Sequence, residues 1–135
     1  DVEYEKLEVI VLWGPPGTGK SRRAREQDPH LYQVMHGQSN QKLWFDGYQG
    51  QETILFEEFY GDVPHSIMLG LTDGYKYQIE VKGGTTWKQW KRVIFTSNKH
   101  PRDWYAEVGA LKRRFTEITF IDGPADEGPC AHEFW

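Results

Sequence analysis

The stretch from Val9 to Ser21 constrains this chain more than any other. Val9-Ile10-Val11-Leu12-Trp13 is an unbroken apolar run, the pattern of a strand buried on both faces of a covered parallel sheet. It runs directly into Gly14-Pro15-Pro16-Gly17-Thr18-Gly19-Lys20-Ser21, which fits the phosphate-cradling loop Gly-x-x-x-x-Gly-Lys-Ser without a mismatch. Glycines let backbone N–H groups close around phosphate oxygens. Lys20 is placed to neutralise the β- and γ-phosphates, and the Ser21 hydroxyl to ligate Mg²⁺. A Gly/Pro surface turn can match the same letters, but seldom with a buried strand before it and helix formers after it. The pattern predicts an α/β fold whose residues 14–21 hold a nucleoside triphosphate.

The remaining bounds are set by length and charge. At 135 residues the chain is one domain with room for a core. Its one cysteine, Cys130, excludes an internal disulfide and a cysteine-rich zinc site, and the five histidines are scattered without ligand spacing. No apolar run approaches the ~18 residues of a membrane span. The first residue is Asp1 and no signal peptide is visible, so the chain reads as a piece of a longer protein. The net charge of −4 is unevenly placed. All 16 Lys and Arg precede Asp122, and four of the 20 acids fall in the last fourteen residues, so residues 1–121 are neutral. Within that neutral body, residues 81–102 hold Lys82, Lys88, Lys91, Arg92, Lys99 and Arg102 and no acid. This window is the one basic concentration suited to a polyanion.

Taken in order, residues 1–8 read as an acidic linker. Ser21–Glu26 is a short predicted helix stopped near Asp28-Pro29, and Leu31–Met35 a strand. Residues 37–41 are a loop, and Leu43-Trp44-Phe45 a short apolar run closed by Asp46-Gly47. Thr53–Phe59 is a second buried strand with Glu57 and Glu58 near its carboxyl end. A helix over Pro64–Leu71 ends at Gly74. Tyr75–Val81 alternates as a half-wet strand, Lys82–Thr85 turns, and Thr86–Lys91 returns as a hairpin. Val93–Ser97 is a third buried strand ending at Asn98. Pro101–Arg114 is helical in pieces, interrupted by Gly109, and Phe115–Ile121 is a last strand. Residues 122–135 form an acidic, Gly/Pro-rich tail expected to pack little.

Three strands therefore end in polar groups, and ligands gather at the carboxyl ends of strands in open α/β sheets. Glu57 is placed to hold Mg²⁺ through its water shell, opposite Ser21. Glu58 is placed to orient or deprotonate a water attacking the γ-phosphate, and Asn98 to contact both that phosphate and that water. Arg113-Arg114 read from sequence alone as a solvated helix end. Trp87 and Trp90 sit among the cations of the basic window, where aromatics can stack bases. The preferred expectation is that both tryptophans enter the core and that Lys82, on its glycine-flanked turn, makes the nucleic-acid contact with Gly83 and Lys88.

These motifs together closely resemble the helicase domain of the replication-initiator (Rep) proteins of circular single-stranded DNA viruses, nearest to the circovirus type. Those domains are superfamily 3 helicases with a small AAA+-like P-loop core. The resemblance covers roughly Val9 to Ile121. Its carriers are the phosphate loop, Trp44-Phe45-Asp46-Gly47-Tyr48-Gln49-Gly50, Ile54-Leu55-Phe56-Glu57-Glu58-Phe59-Tyr60-Gly61, Lys82-Gly83-Gly84-Thr85, Phe95-Thr96-Ser97-Asn98 and Leu111-Lys112-Arg113-Arg114-Phe115. It implies an ATPase and DNA helicase using ATP and Mg²⁺, with a mainly parallel sheet and a projecting β-hairpin. It further implies a ring, usually hexameric, with ATP bound between subunits and 3′→5′ movement on single-stranded DNA in rolling-circle replication. Lys82 falls at the family's DNA-contacting lysine and Arg113-Arg114 at its arginine finger. An N-terminal endonuclease domain of the same protein, absent from this chain, and the host nucleus are likewise implied. One departure is the Glu57-Glu58 pair, where circovirus-type proteins usually carry two aspartates.

Three other readings are weaker. Asn98-Lys99 begins the guanine-reading motif of GTPases, but Pro101 stands where that motif requires Asp. A small-molecule P-loop kinase leaves the Lys82 hairpin and Asn98 unexplained. A single-strand-binding module whose nucleotide site only controls assembly is the non-enzymatic alternative.

Overall fold

The computed structural model describes residues 4–36, 43–121 and 131–132, the last pair by backbone alone. Its elements are β1 (Glu8–Trp13), α1 (Lys20–Gln27), β2 (Tyr32–Gln33), β3 (Thr53–Phe56), α2 (His65–Thr72), β4 (Gln78–Val81), β5 (Gly84–Trp87), β6 (Arg92–Ser97), a 3₁₀ turn (Pro101–Asp103), α3 (Gly109–Lys112), β7 (Glu117–Phe120) and β8 (Ala131–His132). One sheet has the order β2-β3-β6-β1-β7-β8, and β4-β5 form a separate hairpin. The first five strands of the sheet run parallel and β8 antiparallel to β7. The expected mainly parallel α/β architecture with a projecting hairpin is what the chain adopts.

Alternation along β1 divides the core. Val9 and Val11 face one side with Ile54, Phe56, Val93 and Phe95, whereas Ile10 and Leu12 face the other with Leu55 and Ile94. The first side is thick with aromatics. Phe56 stacks on Phe95 at 5.1 Å, and Phe59 meets Trp104 edge-on at 4.9 Å. Met68 and Leu71 of α2 and Leu111 of α3 close it. The second side is thin, with Ala24 of α1 and Ile121 completing the cluster. Burying each large apolar side chain contributes about 1.5–3 kcal/mol relative to exposure, so the aromatic side carries most of the packing energy.

Several boundaries differ from expectation for identifiable reasons. The predicted strand 53–59 stops at Phe56, because Glu58 takes φ 54 and cannot continue a strand. Of Leu31–Met35, Tyr32 and Gln33 pair, opposite Ile54 and Leu55. The hairpin is shorter and earlier than predicted. Val81 pairs Gly84, so Lys82-Gly83 form a two-residue turn, and the return strand ends at Trp87. Residues 4–8 are docked rather than a linker: Glu5 N–H donates to Gly74 O at 2.9 Å, Leu7 is buried, and Tyr4 meets Tyr75 edge-on. The predicted loop 37–41 lies outside the described residues. So does most of the predicted tail, but Ala131 and His132 pair with Phe120 and Thr119. Among the described residues no helix is long and apolar enough to cross a membrane.

Candidate nucleotide site

The phosphate loop leaves β1 through Gly14, whose N–H donates to Ser97 O at 3.0 Å. Gly14 has φ 152, and a Cβ there would lie 2.0 Å from the Ile121 carbonyl oxygen, so no side chain fits. Gly17 and Gly19 take φ 79 and 84. Gly19 caps α1 without a side-chain hydrogen bond, which leaves the first-turn N–H groups for an anion. Lys20 is buried, with Nζ donating to Pro15 O at 2.8 Å. Burial lowers its pKa, and the charge of Glu58 opposes that shift. Thr18 Oγ1 also donates to Pro15 O, at 2.9 Å, so the loop is braced from within. The cradle, from Gly14 and the Pro15-Pro16 bend through Ser21, has the donors and the shape for a triphosphate.

Strand order then assembles the rest. β6 lies between β1 and β3, so Lys20, Asn98 and the Glu57-Glu58 pair reach the same carboxyl edge. Ser21 Oγ donates to Glu57 Oε1 across the helix–strand gap. The other carboxylate oxygen of Glu57 accepts from Arg25 Nη2 at 3.0 Å and Gln33 Nε2 at 3.3 Å. Arg25 also donates to Gln33 Oε1 at 2.6 Å, tying α1 to β2. Two adjoining hard oxygens suit Mg²⁺, which usually takes one or two protein ligands and fills its shell with phosphate and water. Among the described residues no group of three or more His, Cys, Asp and Glu is arranged to hold a metal.

Glu58 is held from several directions. Its N–H donates to Thr96 Oγ1 at 3.0 Å, and the next N–H, of Phe59, to Thr96 O at 2.8 Å. Tyr60 Oη donates to Glu58 Oε2 at 3.0 Å. Burial, and then Glu58, raise the pKa of Tyr60, while amide groups of Asn98 facing the hydroxyl lower it. Asn98 Oδ1 is buried with no hydrogen-bond partner among the described residues, an acceptor left over for a water. His36 braces the preceding peptide, with Nε2 donating to Glu57 O and Nδ1 facing Asp62 Oδ2, both at 2.6 Å. Beside these acids opens a cleft of ≈ 440 Å³ lined by Gln33, His36, Glu57, Glu58, Tyr60 and Asp62. A larger one of ≈ 560 Å³ lies at the opposite end of the strands, beside Tyr4, Tyr75 and Lys91, and holds none of this chemistry.

The arginine pair is not at this edge. Arg113-Arg114 precede β7, whose entry is fixed by Thr116 N–H donating to Val9 O at 2.8 Å, at the amino end of β1. Six residues of β1 separate the two ends by about 20 Å. Arg113 is exposed, and Arg114 Nη2 lies 3.9 Å from Asp73 Oδ2. Lys82 is exposed at the hairpin tip, and Gly83 beside it has open space around it. Lys88 is a correction. Its ammonium turns inward and donates to Gly70 O at 3.1 Å and to Asp73 O, so it is spent on the protein rather than offered to a polyanion. The tryptophans also divide: Trp90 is buried and stacks on Phe45 at 5.3 Å, whereas Trp87 is 49% exposed.

Arg25, Gln33, His36, Tyr60, Asp62 and Thr96 were missed from sequence. Arg25 had a signal, since it lies four residues beyond Ser21 on the same helix face. The others meet the site only through tertiary folding.

This geometry defines a P-loop nucleotide-binding α/β domain. Residues 10–99 match the family model described as RNA helicase, and the chain belongs to that family. Its curated relatives include the replication-associated protein of Beak and feather disease virus, 44% identical over 116 residues, which are 84% of this chain and 38% of the relative. That of Goose circovirus is 42% identical over 130 residues, 90% of this chain and 43% of the relative. That of Porcine circovirus 2 is 37% identical over 121 residues, 85% and 38% respectively. The circovirus-type resemblance carried by the motifs is thereby shown. The chain spans about two fifths of the length of these relatives.

Proposed function

We propose that this chain is the ATP-driven DNA helicase domain of a viral replication-associated protein, acting 3′→5′ on single-stranded DNA during rolling-circle replication in the host nucleus. The observation that supports it most is the order β3-β6-β1, which gathers Lys20, Ser21, Glu57, Glu58 and Asn98 at one edge. Lys20 and the amides of residues 17–21 bind the triphosphate. Ser21 and Glu57 hold Mg²⁺, which when bound neutralises charge on the β- and γ-phosphates. Glu58 takes the proton of the attacking water, and Asn98 positions that water against the γ-phosphate.

Arg113 or Arg114 completes the site from a neighbouring copy in a ring, usually of six. The reason is distance, since within one chain the pair lies at the far end of β1. Lys82 and Gly83 at the hairpin tip contact the DNA backbone. An endonuclease domain preceding this one in the same protein would supply nicking.

The test is steady-state ATP hydrolysis over a protein concentration series, with and without single-stranded DNA. Specific activity that rises with concentration and with DNA is expected. Lys82→Ala is expected to lose the DNA stimulation, with roughly tenfold weaker single-strand binding, and to keep basal hydrolysis. DNA binding without turnover at any concentration would instead favour an assembly-controlling nucleotide site, and equal loss of both activities in Lys82→Ala would sink the hairpin's role.

A further inference from the structure

His36 stands outside the roles assigned above, yet both of its ring nitrogens are engaged beside the acids that carry them. It follows β2 on a segment that still tracks β3, since Val34 N–H donates to Leu55 O at 2.9 Å. The ring packs against Phe56 at 5.7 Å and Phe59 at 5.6 Å, and the side chain is 10% exposed. A carbonyl oxygen only accepts, so Nε2 is the donor to Glu57 O, at 2.6 Å. Nδ1 faces Asp62 Oδ2, also at 2.6 Å, which fixes the rotation of the ring.

The oxygen that His36 holds belongs to the peptide joining Glu57 to Glu58. The N–H of that same peptide donates to Thr96 Oγ1 at 3.0 Å. One peptide plane is thus gripped at both ends, from the segment after β2 on one side and from β6 on the other. Glu58 needs such a grip. It takes φ 54, which a residue with a Cβ keeps only where its surroundings hold it. Rotation of this plane changes ψ of Glu57 and φ of Glu58 together, and so re-aims the Glu58 side chain. Glu57 has side-chain anchors of its own in Ser21, Arg25 and Gln33. The exposed Glu58 carboxylate is held by Tyr60 Oη, so its aim depends on the backbone beneath it.

We propose that His36, oriented by Asp62, is a positioning residue that locks the Glu57–Glu58 peptide and thereby aims Glu58 at the attacking water. This rests on the hydrolytic reading of Glu58. His36 acts through the peptide plane and leaves nucleotide binding to the phosphate loop. Its loss is therefore felt in turnover, and the affinity for nucleotide stays where it was.

The test uses the full chain with His36→Gln and His36→Asn. The Gln amide stands near the place of Nε2 and the Asn amide near that of Nδ1, so only Gln keeps a donor for Glu57 O. Both lose the ring's contacts with Phe56 and Phe59, so a difference between them reports reach rather than packing. In His36→Asn, kcat is expected to fall about tenfold, with KM for ATP and the Kd for ADP unchanged. In His36→Gln, kcat is expected to stay within about threefold of the parent. Equal kcat in the two variants, an unchanged kcat in both, or a risen KM at constant kcat would each overturn the proposal.

A second readout does not depend on turnover. Hydrogen exchange at the Glu58 amide is expected to be about tenfold faster in His36→Asn than in His36→Gln. Exchange at Phe95, inside β6, is expected to be the same in both. Equal exchange at Glu58, or an acceleration shared by Phe95, overturns the grip whatever the rates. A parent chain that never hydrolyses ATP, yet shows this local difference between the variants, instead overturns the hydrolytic reading and leaves the His36 grip standing.

Discussion

The two ends of the parallel strands are built on opposite plans. At the carboxyl edge nearly every charged group is tied to another: Lys20 to Pro15 O, Ser21 and Arg25 to Glu57, Tyr60 to Glu58. At the amino edge the hairpin leaves the sheet, and its tip is two residues, Lys82-Gly83, with open space around the glycine. The hairpin is tethered at its base, where Lys88 N–H donates to Tyr77 O at 2.9 Å, and again two residues short of the tip, where Phe45 N–H donates to Glu80 O at 2.7 Å. The contrast follows from the tasks proposed for each end. Phosphoryl transfer requires groups held within tenths of an ångström, so that little reorganisation remains at the moment of reaction. Contact with a polymer backbone requires reach and charge, and tolerates a mobile lysine.

The contrast is tested most severely at Lys20. Replacing it with alanine removes the one buried cation of the loop and the bond to Pro15 O. Nucleotide affinity, measured by calorimetry or a fluorescent ATP analogue, is expected to fall at least 100-fold, while single-strand binding changes little. Retained ATP affinity would break the assignment of the loop. A parallel loss of DNA binding would show that the two ends are not separable.

The glycines sharpen the same point at smaller scale. Gly14 and Gly83 both have positive φ, but the space around them differs. An alanine methyl at Gly14 meets the Ile121 carbonyl oxygen at 2.0 Å, whereas at Gly83 it meets nothing within 4 Å. Gly83→Ala therefore bears the conformational term alone, about 1–2 kcal/mol, and is expected to lower the melting temperature by a few degrees. Gly14→Ala adds a clash with backbone that only a shift of the β1–β7 junction relieves, and is expected to fold poorly or melt far lower. Equal melting temperatures for the two would remove the distinction between a packed and an open edge.

Those elements whose identity is local were legible in the sequence. Val9–Leu12 and Val93–Phe95 are unbroken apolar runs, and buried parallel strands have that signature because both faces are covered. The phosphate loop is a contiguous motif, and the placement of polar groups at strand ends followed from topology alone. What escaped was decided by partners distant in sequence. The left-handed turn at Glu58 depends on Thr96, and nothing near residue 58 announces it. His36 and Asp62 become neighbours only after β2 and the turn beyond β3 are in place. Trp87 and Trp90 are three residues apart in one basic window, yet one is exposed and the other buried. Which is which depends on where the hairpin ends, and a return strand that stops at Trp87 rather than Lys91, four residues early, was enough to misplace Lys88.

Lys88 gives the finest test, because it is a cation at the amino edge built on the plan of the carboxyl edge. Burial lowers its pKa to about 8, with Arg114 adding to the shift and Asp73 opposing it. Between about 8 and the ordinary lysine value the unfolded chain holds a proton that the folded chain has released. More protons on the unfolded side means that stability rises with pH through this window. Below it both states are protonated, and the full cost of burying the charge remains. Lys88→Met lacks this ionisation. The melting temperature of the parent, compared with that of the variant at each pH, is therefore expected to climb from about pH 8 toward pH 10. Single-strand affinity in Lys88→Met is expected to match the parent, in contrast to Lys82→Ala. A flat temperature difference across that range, or DNA binding weakened as much as in Lys82→Ala, would return Lys88 to the exposed basic surface and erase the internal lysine from the hairpin's base.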